Sequence, residues 1–222
     1  MLESKFYMRQ LPLEISPPAA PSLDNFVAGA NGEALAAVRA LAAGTLRESI
    51  VYLWGERGSG RTHLLRAAAR ARAGLVVADD VGALDAAAQQ ALFNAINAAR
   101  DGQAPVLAAG DGPPARLALR EDLRSRLGWG LVYQLHAPSD LEKAGYLRAE
   151  AARRGLRLPE DVLAYLLSHL PRDLASLNAV LDALDRHSLA SQRPLTLPLL
   201  REALAGLGES VVRSPRDPSR QA

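Results

Sequence analysis

The chain has 222 residues, with 26 Lys and Arg against 24 Asp and Glu, which gives a formal net charge of +2. This near balance excludes a histone-like protein or a polybasic tail, and 49% apolar residues favour a folded core over global disorder. The absence of cysteine excludes a disulfide framework and thiol catalysis. Because no apolar run could span a bilayer and the N-terminus lacks a secretory signal pattern, we expect a cytoplasmic protein.

Short β-prone runs alternate with Ala- and Leu-rich helical segments over residues 23–138. Before them, residues 1–22 are predicted to form a flexible arm, because Pro12, Pro17, Pro18 and Pro21 exclude regular helix. Strands are predicted at 49–54, 75–78, 104–109 and 131–135, and helices at 31–43, 61–72, 85–100 and 119–127. This order predicts an α/β domain with a mainly parallel sheet and helices on both of its faces.

Residues 139–207 contain only helical signals and are predicted to form a small helical domain. Its helices are expected at 139–154, 159–170, 173–189 and 199–204. The charged residues Asp182, Asp185 and Arg186 are interpreted as a solvated face of the third helix. Residues 208–222, which are rich in Pro, Ser and Arg, are predicted to be disordered.

A glycine-rich loop follows the first predicted strand and precedes a predicted helix. Residues 55–62 fit the P-loop pattern G-x-x-x-x-G-[K/R]-[ST]. Glycines let backbone N–H groups turn toward phosphate oxygens, and the helix that follows directs its positive end at the same anion. The pattern predicts a nucleotide phosphate site made by Gly55, Gly58, Ser59, Gly60 and Arg61, with Thr62 as a ligand of Mg²⁺.

Arg61 stands where a lysine is usual in this pattern. Its guanidinium keeps the charge, but the planar fork is bulkier than an ammonium group. We therefore expect nucleotide binding to be retained and the geometry for catalysis to be altered.

Two acids end the second predicted strand, where a P-loop site needs a carboxylate to hold its metal ion. Asp79 is the candidate on the metal side, and Asp80 is a candidate for polarising a water molecule. The alternative is that both acids only end the strand and cap the next helix. Their pairing with a P-loop favours the functional interpretation.

Residues 22–31 and 54–65 resemble the corresponding segments of the DnaA-type AAA+ family. Within it the chain is most similar to the Hda-type regulatory inactivators of DnaA, which also carry arginine in the P-loop. Gln10-Leu11-Pro12-Leu13 resembles their sliding-clamp-binding peptide. The similarity covers roughly residues 8–205, and we expect the DNA-binding helix-turn-helix domain that follows the lid in DnaA to be absent.

The resemblance implies further nucleotide contacts. The residues concerned are Phe26, Val27 and Asn31 near the adenine, Asp111 in a segment similar to sensor 1, and Arg172 in a segment similar to sensor 2. Gly112 stands where the family usually has an arginine, so that contact is expected to be missing.

Arg126 lies in a segment, residues 123–130, that resembles the arginine-finger segment of the family. An arginine finger reaches the nucleotide of a neighbouring molecule and stabilises the charge of its transition state. The alternative is a surface arginine that pairs with Glu121 or Asp122, an interaction of little energetic value.

The predicted core is shorter than that of the family. Only twelve residues, from His63 to Gly74, separate Thr62 from the strand that carries Asp79, where the family has a further strand and helix. Since the missing strand is an edge strand, its loss removes ladder hydrogen bonds on one side only. We expect a sheet of about four strands.

The resemblance implies a negative regulator of DNA replication initiation. Such a protein binds ADP or ATP with Mg²⁺, and binds the sliding clamp (the beta subunit of DNA polymerase III) through Gln10, Leu11 and Leu13. It presents Arg126 to ATP on DnaA and promotes its hydrolysis, rather than turning over ATP itself. It is expected near the nucleoid and replisome, where any DNA contact next to the clamp would be directed at the backbone.

Two other functions stay open at the level of the sequence. One is a self-contained AAA+ ATPase that loads or remodels a complex on DNA. The other is a nucleotide-binding scaffold that only recruits partners. Membrane contact is not expected, and homo-oligomerisation is left open.

Overall fold

The computed structural model describes residues 20–170, 173–191 and 193–207. They form two compact units, Ala20–Glu142 and the described residues from Lys143 onward. The predicted clamp-binding residues Gln10, Leu11 and Leu13, and the predicted sensor-2 residue Arg172, lie outside the described residues. No helix in the described part of the chain is long and apolar enough to cross a membrane.

A four-stranded parallel sheet forms the centre of the first unit. Its strands are β1 (Ile50–Gly55), β2 (Val76–Ala78), β3 (Val106–Gly110) and β4 (Leu131–Leu135), in the spatial order β2-β3-β1-β4. Every adjacent pair is parallel, so all carboxyl ends lie at one edge of the sheet and all amino ends at the opposite edge. The predicted α/β fold with about four parallel strands is confirmed.

Helices cover both faces of this sheet because successive side chains of a strand point to opposite faces. Val51 and Leu53 of β1 pack on one side, while Ile50 and Tyr52 pack on the other, and all four side chains are buried. The helices that contribute to the two cores are α1 (Gly32–Ala43), α2 (Arg61–Ala71), α3 (Ala86–Arg100) and α4 (Glu121–Leu127).

The edge strand β2 is only three residues long and pairs with β3 alone. Its central residue, Val77, is exposed. A short edge limits the number of unpaired backbone groups, which is one way in which proteins tolerate an open sheet edge. The expectation of a trimmed core agrees with this arrangement.

Three 3₁₀ turns were not predicted from the sequence: Gly29–Asn31, Val81–Ala83 and Pro114–Arg116. Asn31 ends the first of them and is buried. Its Nδ2 donates to the carbonyl oxygen of His136 (2.9 Å), and its Oδ1 accepts from the His136 backbone N–H (2.8 Å). These two hydrogen bonds connect the start of α1 to the residue that follows β4.

The helices predicted for residues 139–207 are all present. They are α5 (Asp140–Arg153), α6 (Glu160–His169), α7 (Leu174–Ser191) and α8 (Leu197–Leu207). From Lys143 onward they enclose an apolar core whose fully buried members include Leu147, Val162, Leu166, Leu177, Leu181, Leu184 and Leu199.

An ionic network lies at the edge of that core. The Arg154 side chain is only 2% exposed and contacts the carboxylates of Glu150 and Asp182. Arg153 also donates to Glu150, at 2.7 and 2.9 Å. The interpretation of Asp182 as part of a solvated face is wrong: its side chain is 15% exposed, because the buried guanidinium of Arg154 needs a counter-charge.

Glu150 makes the stability of the second unit depend on pH. Hydrogen bonds from Arg153 and then Arg154 hold the pKa of Glu150 below its ordinary value of 4.5. A carboxylate with a lowered folded-state pKa contributes stability that is complete above its unfolded pKa and is lost as pH falls through the lowered value. We therefore expect Glu150→Gln to have a lower free energy of unfolding than wild type above pH 4.5. The difference should shrink as the pH falls below 4.5.

Urea unfolding followed by far-ultraviolet circular dichroism measures this difference. The control is Glu160→Gln, which removes the exposed pair with Arg148 and should change stability little. Equal effects of the two substitutions across the pH range would contradict the assignment to Glu150.

Candidate functional site

The P-loop joins β1 to α2 in a conformation that requires glycine. Gly58 and Gly60 have positive φ angles of 84° and 94°, which glycine adopts without strain. The Ser59 N–H donates to the carbonyl of Glu56 (3.2 Å) and closes the turn. A side chain at Gly60 would clash with the ring of Phe26. Both backbone conformation and close packing therefore fix the loop at the carboxyl end of β1.

Two buried polar atoms in this loop have no hydrogen-bond partner among the described residues. They are the Oγ of Ser59 and the Nη1 of Arg61. Buried polar atoms are rarely left unpaired in folded proteins. Both belong to the first turn of α2 or the residues just before it, where the helix dipole favours an anion. A bound phosphate would supply the missing acceptor, so these residues fit a nucleotide.

The two predicted residues on the metal side lie in direct contact. The Oγ1 of Thr62 donates to Oδ2 of Asp79 at 2.6 Å, and Oδ1 of Asp79 accepts from the Asp80 N–H at 3.0 Å. No group of three or more His, Cys, Asp or Glu side chains in the described part of the chain could hold a metal ion. Mg²⁺ would therefore take ligands from nucleotide phosphates and water as well, which is its usual coordination.

Asp80 adopts a left-handed conformation, with φ 46° and ψ 52°. Among the described residues it is the one non-glycine with a positive φ, a conformation that costs about 1 kcal/mol or more. Its carbonyl accepts from the N–H of Ala83 (2.9 Å), which closes the 3₁₀ turn after β2. The turn holds the exposed Asp80 carboxylate at the carboxyl edge of the sheet.

Tyr52 is a component of this edge that the sequence analysis missed. Its buried hydroxyl donates to the carbonyl of Gly112 (2.8 Å), next to the predicted sensor-1 residue Asp111. Burial and then the Asp111 charge raise the pKa of Tyr52 well above its ordinary value of 10.0, so the hydroxyl stays protonated and donates. The charge of Arg61 acts in the opposite direction on the pKa of Tyr52, and the charge of Asp80 adds to the rise.

A sequence signal for Tyr52 exists. Tyr52 carries the one hydroxyl group of the central strand β1, and a buried hydroxyl needs a partner. Gly110 makes room for it, since a side chain at Gly110 would clash with the hydroxyl.

The residues predicted to lie near the adenine do not all contact the P-loop. Phe26 packs on the P-loop, with its ring centroid 5.6 Å from that of His63. Val27 is half-buried close by in sequence. Both polar atoms of the Asn31 side chain are occupied by the backbone of His136. Phe26 therefore lies against the P-loop, whereas the side-chain amide of Asn31 is already hydrogen-bonded to the backbone of His136.

Arg126 lies at the opposite edge of the sheet. It is on α4, just before the amino end of β4, whereas the P-loop follows the carboxyl end of β1. Strands of five or six residues are about 16–20 Å long, so Arg126 is remote from the P-loop of its own chain.

Among the described residues, no acidic side chain forms a hydrogen bond or ion pair with Arg126. Its Nε donates to Oδ1 of Asn97 at 2.7 Å, and its Nη1 reaches the main-chain oxygen of Asp122 at 3.5 Å. The Asp122 carboxylate is paired with Arg120 at 2.6 Å. Within the described residues the alternative of a surface ion pair for Arg126 is therefore not observed.

The contact between Thr62 and Asp79 predicts a magnesium-dependent contribution to nucleotide affinity. Thr62→Ala and Asp79→Asn should each weaken binding of fluorescent ADP about tenfold with Mg²⁺ present, because each removes a group that would hold the ion. With EDTA the two variants should bind like wild type. Thr45→Ala is the control, because this exposed threonine precedes the amino end of β1, whereas the loop follows its carboxyl end. Equal affinities in Mg²⁺ would refute the metal assignment.

Comparisons with known proteins add family information to this geometry. Residues 140–204 match the family model described as Hda, lid domain. Domain III of the replication initiation protein DnaA from Thermotoga maritima has a TM-score of 0.72 and 20% identity, over 90% of this chain and 100% of that chain. AMPPCP-bound DnaA from Aquifex aeolicus has a TM-score of 0.61 and 21% identity, over 73% of this chain and 64% of that chain.

A similar fold also occurs in a branch migration motor. The RuvB Holliday junction branch migration motor of Thermotoga maritima has a TM-score of 0.62 and 16% identity, over 84% of this chain and 72% of that chain. At these identities the solved structures establish the fold alone, and the family match is confined to the C-terminal helices. The chain therefore has the fold of domain III of DnaA, and its residues 140–204 are similar to the Hda lid domain.

Proposed function

We propose that this protein is an adenine-nucleotide-binding regulator of replication initiation that promotes the hydrolysis of ATP held by DnaA. The observation that carries the proposal is the position of Arg126. This arginine has ordered contacts, yet it lies at the sheet edge opposite the phosphate site of its own chain. From that position Arg126 would serve a nucleotide held by another molecule and not the one held by its own chain.

Arg126 would act on the charge that develops during hydrolysis. Water attacks the γ-phosphorus of the ATP on DnaA while the bond to the β,γ-bridging oxygen breaks, and negative charge spreads over the phosphoryl oxygens. A guanidinium is charged at every physiological pH and donates two parallel hydrogen bonds to such oxygens. An arginine supplied by a partner raises the rate by about 10³–10⁵ in other phosphoryl-transfer systems.

The chain's own P-loop would hold ADP or ATP together with Mg²⁺. The unpaired atoms of Ser59 and Arg61 and the contact of Thr62 with Asp79 support this. The related DnaA from Aquifex aeolicus was solved with AMPPCP bound. Because Arg61 replaces the usual lysine, we propose that the bound nucleotide mainly stabilises the folded unit and turns over slowly.

A clamp tether would bring the protein to its target. We assign it to Gln10, Leu11 and Leu13, where Pro12 and the following prolines restrict the unbound chain and so lower the entropy lost on docking. Tethering raises the local concentration of Arg126 near DnaA, so a weak direct contact suffices. Contacts with DNA beside the clamp would be directed at the backbone and be sensitive to salt.

Substitution of Arg126 tests the central step. With ATP-bound DnaA and clamp loaded on DNA, Arg126→Ala should lower the stimulated hydrolysis rate by about 10²-fold or more, to near the basal rate of DnaA. Arg124→Ala is the matched control: it removes the same charge from the same helix, at a side chain that makes no ion pair with the described residues. Phosphate release, measured beside clamp binding, separates the two steps.

Three outcomes would decide the matter. A full rate for Arg126→Ala would refute the proposal, and equal losses for both arginines would indicate a general charge effect.

The contact of Thr62 with Asp79 favours one alternative, a self-contained AAA+ ATPase that loads or remodels a complex on DNA. Rapid turnover by the isolated protein with DNA, in the absence of DnaA, would support that alternative.

The tether is tested by binding to the immobilised bacterial sliding clamp. The double variant Gln10→Ala with Leu13→Ala should weaken binding about tenfold or more, because it removes a polar anchor and an apolar one. Ser16→Ala, in the same arm, serves as the control. If the wild-type protein does not bind the clamp, this part of the proposal fails while the assay of Arg126 still stands.

A further inference from the structure

We infer that His63 fastens the root of the N-terminal arm to the helix of the P-loop, so that a nucleotide in the loop and the root stabilise each other. The root is the segment 20–26, which contains the first described residues of the chain. The contacts that hold the root belong to this chain alone. Their coupling to a nucleotide rests on the proposed function.

The root is closed on itself by a reciprocal pair of hydrogen bonds. The backbone N–H of Ser22 donates to Oδ1 of Asn25 at 2.9 Å, and the backbone N–H of Asn25 donates to Oγ of Ser22 at 3.2 Å. The Nδ2 of Asn25 also donates to the carbonyl of Ala20 at 3.0 Å. Such side chains bond the backbone of a short segment that belongs to no helix or sheet. The root therefore has a defined local structure.

Two helices hold this segment. Nη2 of Arg39, on α1, donates to the carbonyl of Leu23 at 2.9 Å and to the Asp24 carboxylate at 3.1 Å. Nε2 of His63, on α2, lies 2.9 Å from the carbonyl oxygen of Ser22. Because a carbonyl oxygen can only accept, Nε2 of His63 carries the proton in this contact. The root is thus bonded to both helices that cover this face of the sheet.

His63 lies where the root and the P-loop meet. It follows Thr62 directly and belongs to the first turn of α2, which begins at the end of the loop. Its ring centroid is 5.6 Å from that of Phe26, and Phe26 packs on Gly60 of the loop. One histidine thus contacts the root at Ser22 through a hydrogen bond and at Phe26 through its ring.

The alternative is that His63 only fills space beside the core. Leu64 and Leu65, which follow it, already supply the buried apolar contacts of this turn of α2. His63 is half-buried, and its polar atom contacts the backbone of the root. This arrangement agrees better with fastening the root than with filling the core.

Contacts shared by the loop and the root link their stabilities. Phe26 belongs to the root and is a predicted adenine contact, whereas Gly60 and Arg61 are predicted phosphate contacts. A nucleotide that touches both segments binds best when the root is docked on α2, and by binding it favours that state. The docked root favours the nucleotide by the same factor, because coupling between two sites is reciprocal.

The position of the root also limits the reach of the proposed clamp peptide. Leu13 precedes Ala20 by seven residues, which span at most about 25 Å. A root that is docked on α2 therefore fixes the point from which the tether extends. Under the proposed function, a bound nucleotide would hold that point in place.

Three substitutions separate the hydrogen bond, the ring and the root. His63→Gln keeps an N–H donor at similar reach and loses the ring, whereas His63→Phe keeps a ring and loses the donor. Arg39→Met removes the donor to Leu23 from α1 and leaves the sequence of the P-loop helix unchanged. His136→Ala is the control, because it removes an exposed imidazole from the same unit.

The first measurement is hydrogen exchange of the full-length protein without nucleotide. The backbone amides of Ser22 and Asn25 report on the root, because both are hydrogen-bonded within it. Their exchange should be about three- to tenfold faster in His63→Phe than in wild type, which is the range expected for one lost hydrogen bond. In His63→Gln it should stay within about twofold of wild type. Unchanged exchange in His63→Phe would overturn the inference.

The second measurement is the affinity for fluorescent ADP. His63→Phe and Arg39→Met should each weaken binding about threefold or more, whereas His63→Gln and His136→Ala should change it less than about twofold. Arg39→Met is the sharper variant, and it serves alone if His63→Phe fails to fold. The hydrogen bonds of Arg39 go to Leu23 and Asp24, so its effect on ADP must pass through the root.

The failures of the two ideas are distinguishable. If wild type binds ADP and neither His63→Phe nor Arg39→Met binds it more weakly, the coupling is overturned and the proposed function stands. If wild type does not bind ADP, the nucleotide part of the proposed function fails and the coupling fails with it. The exchange measurement then still decides whether His63 fastens the root.

Discussion

The parallel pairing of β1 with β3 on one side and β4 on the other determines where all the candidate functional groups lie. Because every strand runs in the same direction, the P-loop, Asp79 and Asp111 all follow carboxyl ends and collect at one edge. The helix that carries Arg126 returns the chain to the amino edge, where β4 begins. The parallel direction of the strands therefore places Arg61 and Arg126, which the proposed function requires, at opposite edges of the sheet.

Local motifs were predictable from the sequence because their geometry depends on neighbouring residues. The P-loop needs glycine at two positive φ angles. Thr62 meets Asp79 because the loop and the acid both follow the carboxyl ends of parallel strands, which the alternation of strands and helices predicted. The helices and strands follow from hydrophobic periodicity, which spans several residues of each element. The 3₁₀ turns were missed because three residues are too few to show a period.

Contacts between distant segments could not be predicted in the same way. Tyr52 meets Gly112 and Asn31 meets His136 only after the elements have packed, and no periodicity in one segment indicates its partner in another. Asp182 was misjudged for a similar reason. Charge in its own helix indicated a solvated face, while the buried Arg154, in the turn after α5, decided its environment.

The charges at the carboxyl edge also explain why arginine suits position 61. Asp79, Asp80 and Asp111 bring three negative charges to a site proposed for an anionic nucleotide, and Arg61 offsets one of them. Arginine keeps its charge when it is partly buried, whereas a lysine can lose its proton there. Under the proposed function, a fixed charge at position 61 would favour holding the nucleotide. Arg126, at the opposite edge of the sheet, would then act on a nucleotide held by a partner rather than on the one beside Arg61.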